Sequence, residues 1–383
     1  MKIIKFWVVL ILALTCFVRV EAQRRGYWSG VEERESTLGI AEVFHKFDTP
    51  HFQLKLVRAS QTVAALRPNN DLNFDFTPGE RLEKRDKDSL YHLGDINLRI
   101  KDGSGFYKSY STAYKRGTVI PLEVKDSILA GADLATTLPN DIPVTVKRFY
   151  EIEDGHLVLR FEITNKTEEN IEIGALGVPM IFNNILEGKS LTETHKQNVF
   201  FDPYIGKDAG YLEVKRLSGR GSALLILPKE NMSFEAYRPL LDDPTPKSIV
   251  FEGFHEWMVL SKAYAENEWK NVEQWNRPTS LVMAPNETKN FSLKFVLSEG
   301  IKEIQQTLSK EKIPVAVGVP GYVLPQDVEA KLFLDYKGDV ASIEVEPKGA
   351  LSLKLMGTTE SGKREYQVKG EKWGRALVTI TYK

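Results

Sequence analysis

The sequence predicts a mainly β protein: a large sandwich of antiparallel sheets followed by a small β-sandwich of the immunoglobulin-like size class. Three observations predict it. Apolar and polar residues alternate with a period of two in many short runs, as at Leu157, Leu159, Phe161 and Ile163, and this period turns one face of a strand toward a core. Turn signals such as Glu153-Asp154-Gly155 separate successive runs at hairpin spacing. The runs follow one another without regular helices between them, which favours antiparallel sheets over a parallel α/β sheet.

In chain order, Lys2 and Lys5 precede an apolar run over 6–18, and Val20-Glu21-Ala22 offers a cleavage site. Residues 1–22 are therefore expected to be a signal peptide, with Gln23 the first mature residue. The apolar run is short for a membrane span, so the expected location is secreted or periplasmic, with no membrane association after cleavage. Cleavage removes a net +2 from a chain of net charge −1, together with Cys16, the only cysteine. An exported chain without disulfides must be held by its core, which fits large domains. Residues 23–312 are assigned to the large sandwich and 313–383 to the small one.

Residues 24–41 lack a period and read as an irregular lead-in, with Tyr27 and Trp28 tucking onto the domain. Strands are expected at 52–58 and 62–66. A long polar connection, 67–89, carries a Pro78-Gly79 turn, and connections of that length are often functional. Further strands are expected at 91–100, 144–152, 156–164, 171–173, 211–217, 223–227, 248–252 and 291–297. Ser218-Gly219-Arg220-Gly221-Ser222 reads as a tight turn between two of them. Ile301, Ile304 and Leu308 repeat at helical spacing, which predicts one helix over 300–312. Pro314, Pro320-Gly321 and Pro325 mark a boundary. Beyond it, strands are expected at 330–336, 342–346, 351–355 and 375–382. The last pattern runs up to Lys383, as a terminal strand or a truncated sandwich would.

Lys plus Arg number 51 against 52 Asp plus Glu, a balance that gives no electrostatic footprint for nucleic acid. None of the six histidines pairs at H-x-x-x-H spacing, and no dinucleotide, P-loop or nucleophile-elbow motif occurs. No metal or cofactor is expected. Chemistry-bearing residues concentrate in 242–276 (DDPTPKSIVFEGFHEWMVLSKAYAENEWKNVEQWN). Trp257, Tyr264, Trp269 and Trp275 interleave there with Asp242, Asp243, Glu256 and Glu268. A pyranose stacks its C–H face on an aromatic ring while its hydroxyls bond carboxylates, so these eight residues are the candidate sugar-binding set. The same aromatics also suit the core of a large β-domain. A tryptophan beside Glu256 and beside Glu268 would raise a carboxyl pKa by desolvation, as an acid catalyst requires. Asn183-Asn184 and the stretch 200–206 (FFDPYIG) place amides and an aspartate beside aromatics, a pattern suited to hydroxyl recognition or to loop capping. Asn165, Asn231, Asn286 and Asn290 begin N-x-[ST] sequons.

Several stretches together, 74–82 (FDFTPGERL), 91–95 (YHLGD), 176–184 (LGVPMIFNN), 201–211 (FDPYIGKDAGY), 237–244 (YRPLLDDP) and 257–269, resemble the secreted bacterial and fungal family catalogued as domain of unknown function 5695. The resemblance covers residues 40–383. It implies a galactose-mutarotase-like β-supersandwich, a short linker, and then a six-hairpin α/α catalytic barrel that this chain does not include. It supplies no catalytic residue. The chain is then expected to be an accessory, non-catalytic β-region of a glycoside-hydrolase-like protein, contacting poly- or oligosaccharide or docking an α/α barrel. A second reading makes it a glycosidase in its own right, with Glu256, Glu268 and His255 as candidates. A third makes it a purely structural docking module.

Overall fold

The computed structural model describes residues 36–101, 103, 105–245 and 253–383. The signal segment, Tyr27, Trp28 and the strand expected at 248–252 lie outside the described residues. Strands β1 (Phe44–Asp48), β2 (Phe52–Val57) and β3 (Val63–Pro68) form a three-stranded antiparallel sheet. β4 (Asn97–Lys101) and β5 (Tyr107–Ser111) pair as a hairpin. After them come β6 (Ile120–Pro121), β7 (Ile128–Asp133), β8 (Val144–Glu153), β9 (His156–Asn165) and β10 (Ile171–Met180). A short helix, α1 (Leu191–Gln197), precedes β11 (Val199–Tyr204), β12 (Tyr211–Arg216), β13 (Ala223–Pro228) and β14 (Ala236–Pro239). β15 (His255–Leu260) leads into α2 (Lys262–Ala265), and β16 (Leu281–Met283) and β17 (Thr288–Ser298) follow.

Two of the sheets make the large sandwich. One has six strands in the order β14-β15-β10-β4-β5, with β16 paired to β10; the other has eight in the order β11-β12-β13-β17-β9-β8-β7-β6. Leu98, Ile100, Val178 and Trp257 of the first and Val146, Leu159, Phe161, Leu212 and Phe295 of the second share one buried cluster. Period-two alternation is what delivers them to it. The β8–β9 turn holds Asp154 and Gly155 at φ of 49° and 81°, the left-handed pair that a two-residue hairpin loop needs.

The helix expected over 300–312 forms as α3 (Ile304–Lys310) after a 3₁₀ turn at Ile301–Glu303. Its Ile304 and Leu308 pack on Leu225, Leu227 and Val296, on the outer face of the eight-stranded sheet. Beyond α3, β18 (Val315–Val319), β19 (Glu329–Asp335), β20 (Val340–Glu346), β21 (Leu351–Thr358), β22 (Arg364–Gly370) and β23 (Leu377–Tyr382) form a four-stranded sheet, β18-β19-β22-β21, and a two-stranded one, β20-β23. Stacked antiparallel sheets therefore account for the fold throughout.

One local expectation needs correction, and two further stretches gain detail. The strand expected at 91–100 begins only at Asn97. Before it, Gly94 takes φ 99° and the buried Asp95 accepts from the His92 amide at 2.7 Å and from both Arg116 terminal nitrogens at 2.7 Å. That network bends the chain before it can extend. The long polar connection 67–89 is anchored to the sandwich by Phe74 and Phe76, both buried. The Asp75 carboxylate gathers the Leu66 amide, the Thr77 amide and the Thr77 hydroxyl at 3.0, 2.9 and 2.8 Å. At Asn165, finally, a glycan acceptor is buried. Its amide nitrogen donates to the carbonyls of Glu169, Met283 and Ala284 at 2.8, 3.1 and 3.0 Å, and its oxygen caps Thr167.

Candidate functional site

The outward face of the six-stranded sheet is the side turned from the core. On β4, Asn97 and Arg99 point outward because Leu98 and Ile100 point in. On β10, Gly177 sits directly opposite Asn97. A side chain there would collide with the Glu256 carboxylate, so glycine is what gives Glu256 of β15 its place. That carboxylate is fully buried; it accepts from the Arg238 Nε of β14 and from the Asn97 amide at 2.5 Å.

The excursion 261–280 leaves β15 and lies over this face. Glu235, itself 1% exposed, clips its base: the carboxylate accepts from Ser261 Oγ at 2.7 Å, from the Thr279 amide at 3.1 Å and from the Thr279 hydroxyl. Asn276 donates to the carbonyls of Ile205, Phe234 and Glu235 at 3.1–3.2 Å. Thus fixed, α2 packs Ala263 and Tyr264 on Ala175 and Met258. Trp269 stacks on Tyr264 with centroids 4.9 Å apart. The Arg99 guanidinium lies 3.7 Å from the Tyr264 ring centroid and forks onto Glu268 at 2.8 and 2.6 Å. Arg238 lies 4.9 Å from the same ring. On the far side, the Tyr91 hydroxyl donates to Asp242 at 2.6 Å. Burial, reinforced by that bond, pushes the Tyr91 hydroxyl far above the usual phenol range. Desolvation pushes Tyr264 up to about 12.

The structure sorts the eight candidates. Tyr264, Trp269, Glu268 and Asp242 come together on this face, a polar and aromatic patch termed the basin; Glu256 joins them only from beneath, fully buried, and offers a sugar no surface. Trp257 is not among them: it points into the core, stacks on Phe234 at 3.8 Å and 10°, and donates to the Ser233 carbonyl at 2.8 Å. At 0% exposure its ring is no sugar platform. Asp243 is also structural, buried in an ion pair with Arg85 at 2.9 Å. Trp275 is surface-exposed at the end of the excursion, with the Arg375 guanidinium 5.2 Å from its centroid. The expectation of a raised acid in this stretch is overturned for Glu268: the hydrogen bonds from Arg99 hold it below the usual carboxylate range. His255 and Glu256 are neighbours on β15 and so face opposite sides. His255 stacks on Tyr237 at 4.8 Å and lies 6.0 Å from Phe201. They cannot form one acid–base pair. Asn183 and Asn198 interlock with the chain around them and with Glu80, which is loop capping.

Sequence reasoning missed Asn97, Arg99, Tyr91 and Arg238. The alternation Asn97-Leu98-Arg99-Ile100 carried the signal for the first two, as polar residues at outward strand positions. Among the described residues no His, Cys, Asp and Glu group could hold a metal ion. A cleft of about 660 Å³, lined by Lys229, Met232, Leu260, Ser280, Lys312 and Tyr336 among others, adjoins the base of the excursion.

Stacked antiparallel sheets with a polar, aromatic-rimmed basin on one outward face define the class: a mainly β sandwich protein. The chain belongs to the Family of unknown function (DUF5695), whose model matches residues 55–383. No curated protein matches the sequence. Among solved structures, a polysaccharide lyase aligns with TM-score 0.62 at 12% identity over 88% of this chain and 45% of its own. The chain therefore spans under half the length of that lyase. A putative aldose 1-epimerase from Escherichia coli K12 aligns with TM-score 0.41 at 10% identity, over 67% of this chain and 99% of its own. A galactose mutarotase-like protein from Lactobacillus casei ATCC 334 gives 0.42, 11%, 67% and 100%.

Proposed function

We propose that the chain is an exported, non-catalytic β-region of a carbohydrate-degrading protein, and that the basin on the six-stranded sheet contacts the glycan. The observation that carries the sugar contact is the Tyr264–Trp269 stack set beside the Arg99–Glu268 fork. An aromatic face next to fixed donors and acceptors matches a sugar ring and its hydroxyls. Arginine supports the non-catalytic half of the reading. Glu268 is clamped by the Arg99 guanidinium and held below the usual carboxylate range, whereas a general acid needs a pKa raised toward neutrality. The bond-breaking step then belongs to a partner segment, for which an α/α barrel is the family expectation. The fold shared with a polysaccharide lyase about twice as long is consistent with such a division.

Affinity electrophoresis through gels containing plant, algal and host polysaccharides tests the reading. Retardation is expected on at least one polymer, weakened roughly tenfold by Trp269→Ala. No retardation on any gel, or retardation indifferent to Trp269, removes the basin from the binding role. Release of reducing sugar by the purified chain, abolished by Glu268→Gln, would overturn the non-catalytic half.

A further inference from the structure

Among the described residues the eight-stranded sheet ends at β11, which pairs with β12 alone. Strand alternation turns Val199 and Phe201 toward the core and Phe200, Asp202 and Tyr204 to the outside. The antiparallel register sets Lys215 opposite Phe200, Glu213 opposite Asp202 and Tyr211 opposite Tyr204. Three cross-strand pairs thus stand in a row: aromatic on cation, acid on acid, aromatic on aromatic.

We propose that this β11–β12 edge is a second glycan-contact surface, taking a neutral pyranose chain with free vicinal hydroxyls, in which Tyr204 stacks the ring, Asp202 and the tip of Lys215 bind the hydroxyls, and the buried Glu213 holds Lys215 in place. Tyr204 and Tyr211 stack with centroids 4.5 Å apart and planes 15° from parallel. Tyr211 is buried and rigid, while Tyr204 is 40% exposed and Tyr322 next to them is 73% exposed. Such a backing holds an aromatic face open to solvent at small entropic cost. Beside it, Lys215 bonds Glu213 at 3.0 Å and also pairs with Asp202. Donor and acceptors side by side are what adjacent hydroxyls require.

The acid–acid pair gains the fold little. Like charges directly opposite on a sheet are destabilising, and Glu213 is only 5% exposed. Burial pushes its carboxyl up, against the pull of Lys215. A hydrophobic pair at these positions would serve the sheet better, so the polar row marks a surface that acts on something outside the chain. Two carboxylates against one ammonium leave the row with an excess of negative charge, which disfavours uronate or sulfated chains.

The test runs laminarin and glucomannan as neutral probes and alginate as an acidic one, in affinity gels, with Tyr204→Ala, Lys215→Met and Trp269→Ala side by side. Tyr204→Phe keeps the ring and serves as the folding control. Retardation by a neutral probe should fall roughly fivefold to tenfold in Tyr204→Ala and Lys215→Met and persist in Tyr204→Phe. No retardation by either neutral probe, stronger retardation by alginate, or a Tyr204→Ala chain that migrates like the wild type overturns the proposal. Loss in Trp269→Ala with Tyr204→Ala unchanged removes this surface and keeps the basin. The converse removes the basin and keeps this surface.

Discussion

Both outward sheet surfaces carry carboxylates beside aromatic rings, and they neutralise those carboxylates differently. In the basin, Glu256 and Glu268 each meet a guanidinium, and Asp243 at its border meets Arg85. At the β11–β12 edge, Asp202 and Glu213 share the single ammonium of Lys215. A guanidinium is a planar fork that fixes the group it binds, whereas an ammonium is a point charge on a flexible stem. The basin is accordingly a fixed frame and the edge an adjustable one. A carboxylate's setting on these two surfaces follows from the cation set beside it, arginine in the basin and one shared lysine at the edge.

The largest effect expected from this difference is at the basin border. Asp243→Ala leaves the Arg85 guanidinium, 3% exposed, without its carboxylate, and should cost about 3–5 kcal/mol in urea unfolding. A loss under about 1 kcal/mol would mean that the forks do not hold the frame. A smaller loss is expected from Gly177→Ala, which drives a Cβ into the Glu256 carboxylate: about 1–3 kcal/mol, with Trp269 fluorescence altered. Unchanged emission and stability would show that Glu256 can move. At the edge, Lys215→Met leaves the buried Glu213 without its ammonium and should cost about 1–3 kcal/mol. A larger loss would make Lys215 as structural as the arginines.

The smallest effect separates the two surfaces by the sign of a pH response. Glu268 is held below the ordinary carboxylate value, first by its hydrogen bonds from Arg99. Its contribution is therefore present above the unfolded pKa and lost as pH falls through the folded one. Glu213 is raised, first by burial, so its contribution is full at low pH and lost as pH rises through the folded pKa. On acidification below the ordinary glutamate pKa, the wild type should lose stability relative to Glu268→Gln and gain it relative to Glu213→Gln. Melting curves between acid and neutral pH read both, and equal signs would erase the contrast.

Most of the sandwich was legible because its strands obey a strict alternation that a core imposes on each of them. Ten strands escaped notice, β1, β5, β6, β7, β11, β14, β15, β16, β18 and β22, and of these β5, β7 and β22 show most plainly why, because they lack that mark. β5 (Tyr-Lys-Ser-Tyr-Ser) is polar on both faces, β7 is built from small residues, and β22 carries charges along its length. Helix α1 has no apolar stripe either and is held by its Ser190–Glu193 capping box. In the site, composition alone could not separate Trp257 from Trp269. One lies at an inward position of β15 and the other beyond the end of that strand. Only the register of β15 against β10 and β14 decides which is buried. The arginines that clamp the acids come from other elements, Arg99 from β4, 169 residues before Glu268, and Arg238 from β14 beside β15, so no local motif could announce them.

The Asn165 turn turns a sequence motif into a clock. Once the turn closes, its acceptor nitrogen is engaged by three carbonyls and sealed from any enzyme, whereas Asn286 stays at the surface on a left-handed turn. If this gene were expressed through a eukaryotic secretory pathway, sugar on Asn165 would mark molecules that met the transferase before they folded. Sugar on Asn286 would record only that they passed. The ratio of the two occupancies in a single preparation would then report how fast this sandwich closes relative to its own synthesis.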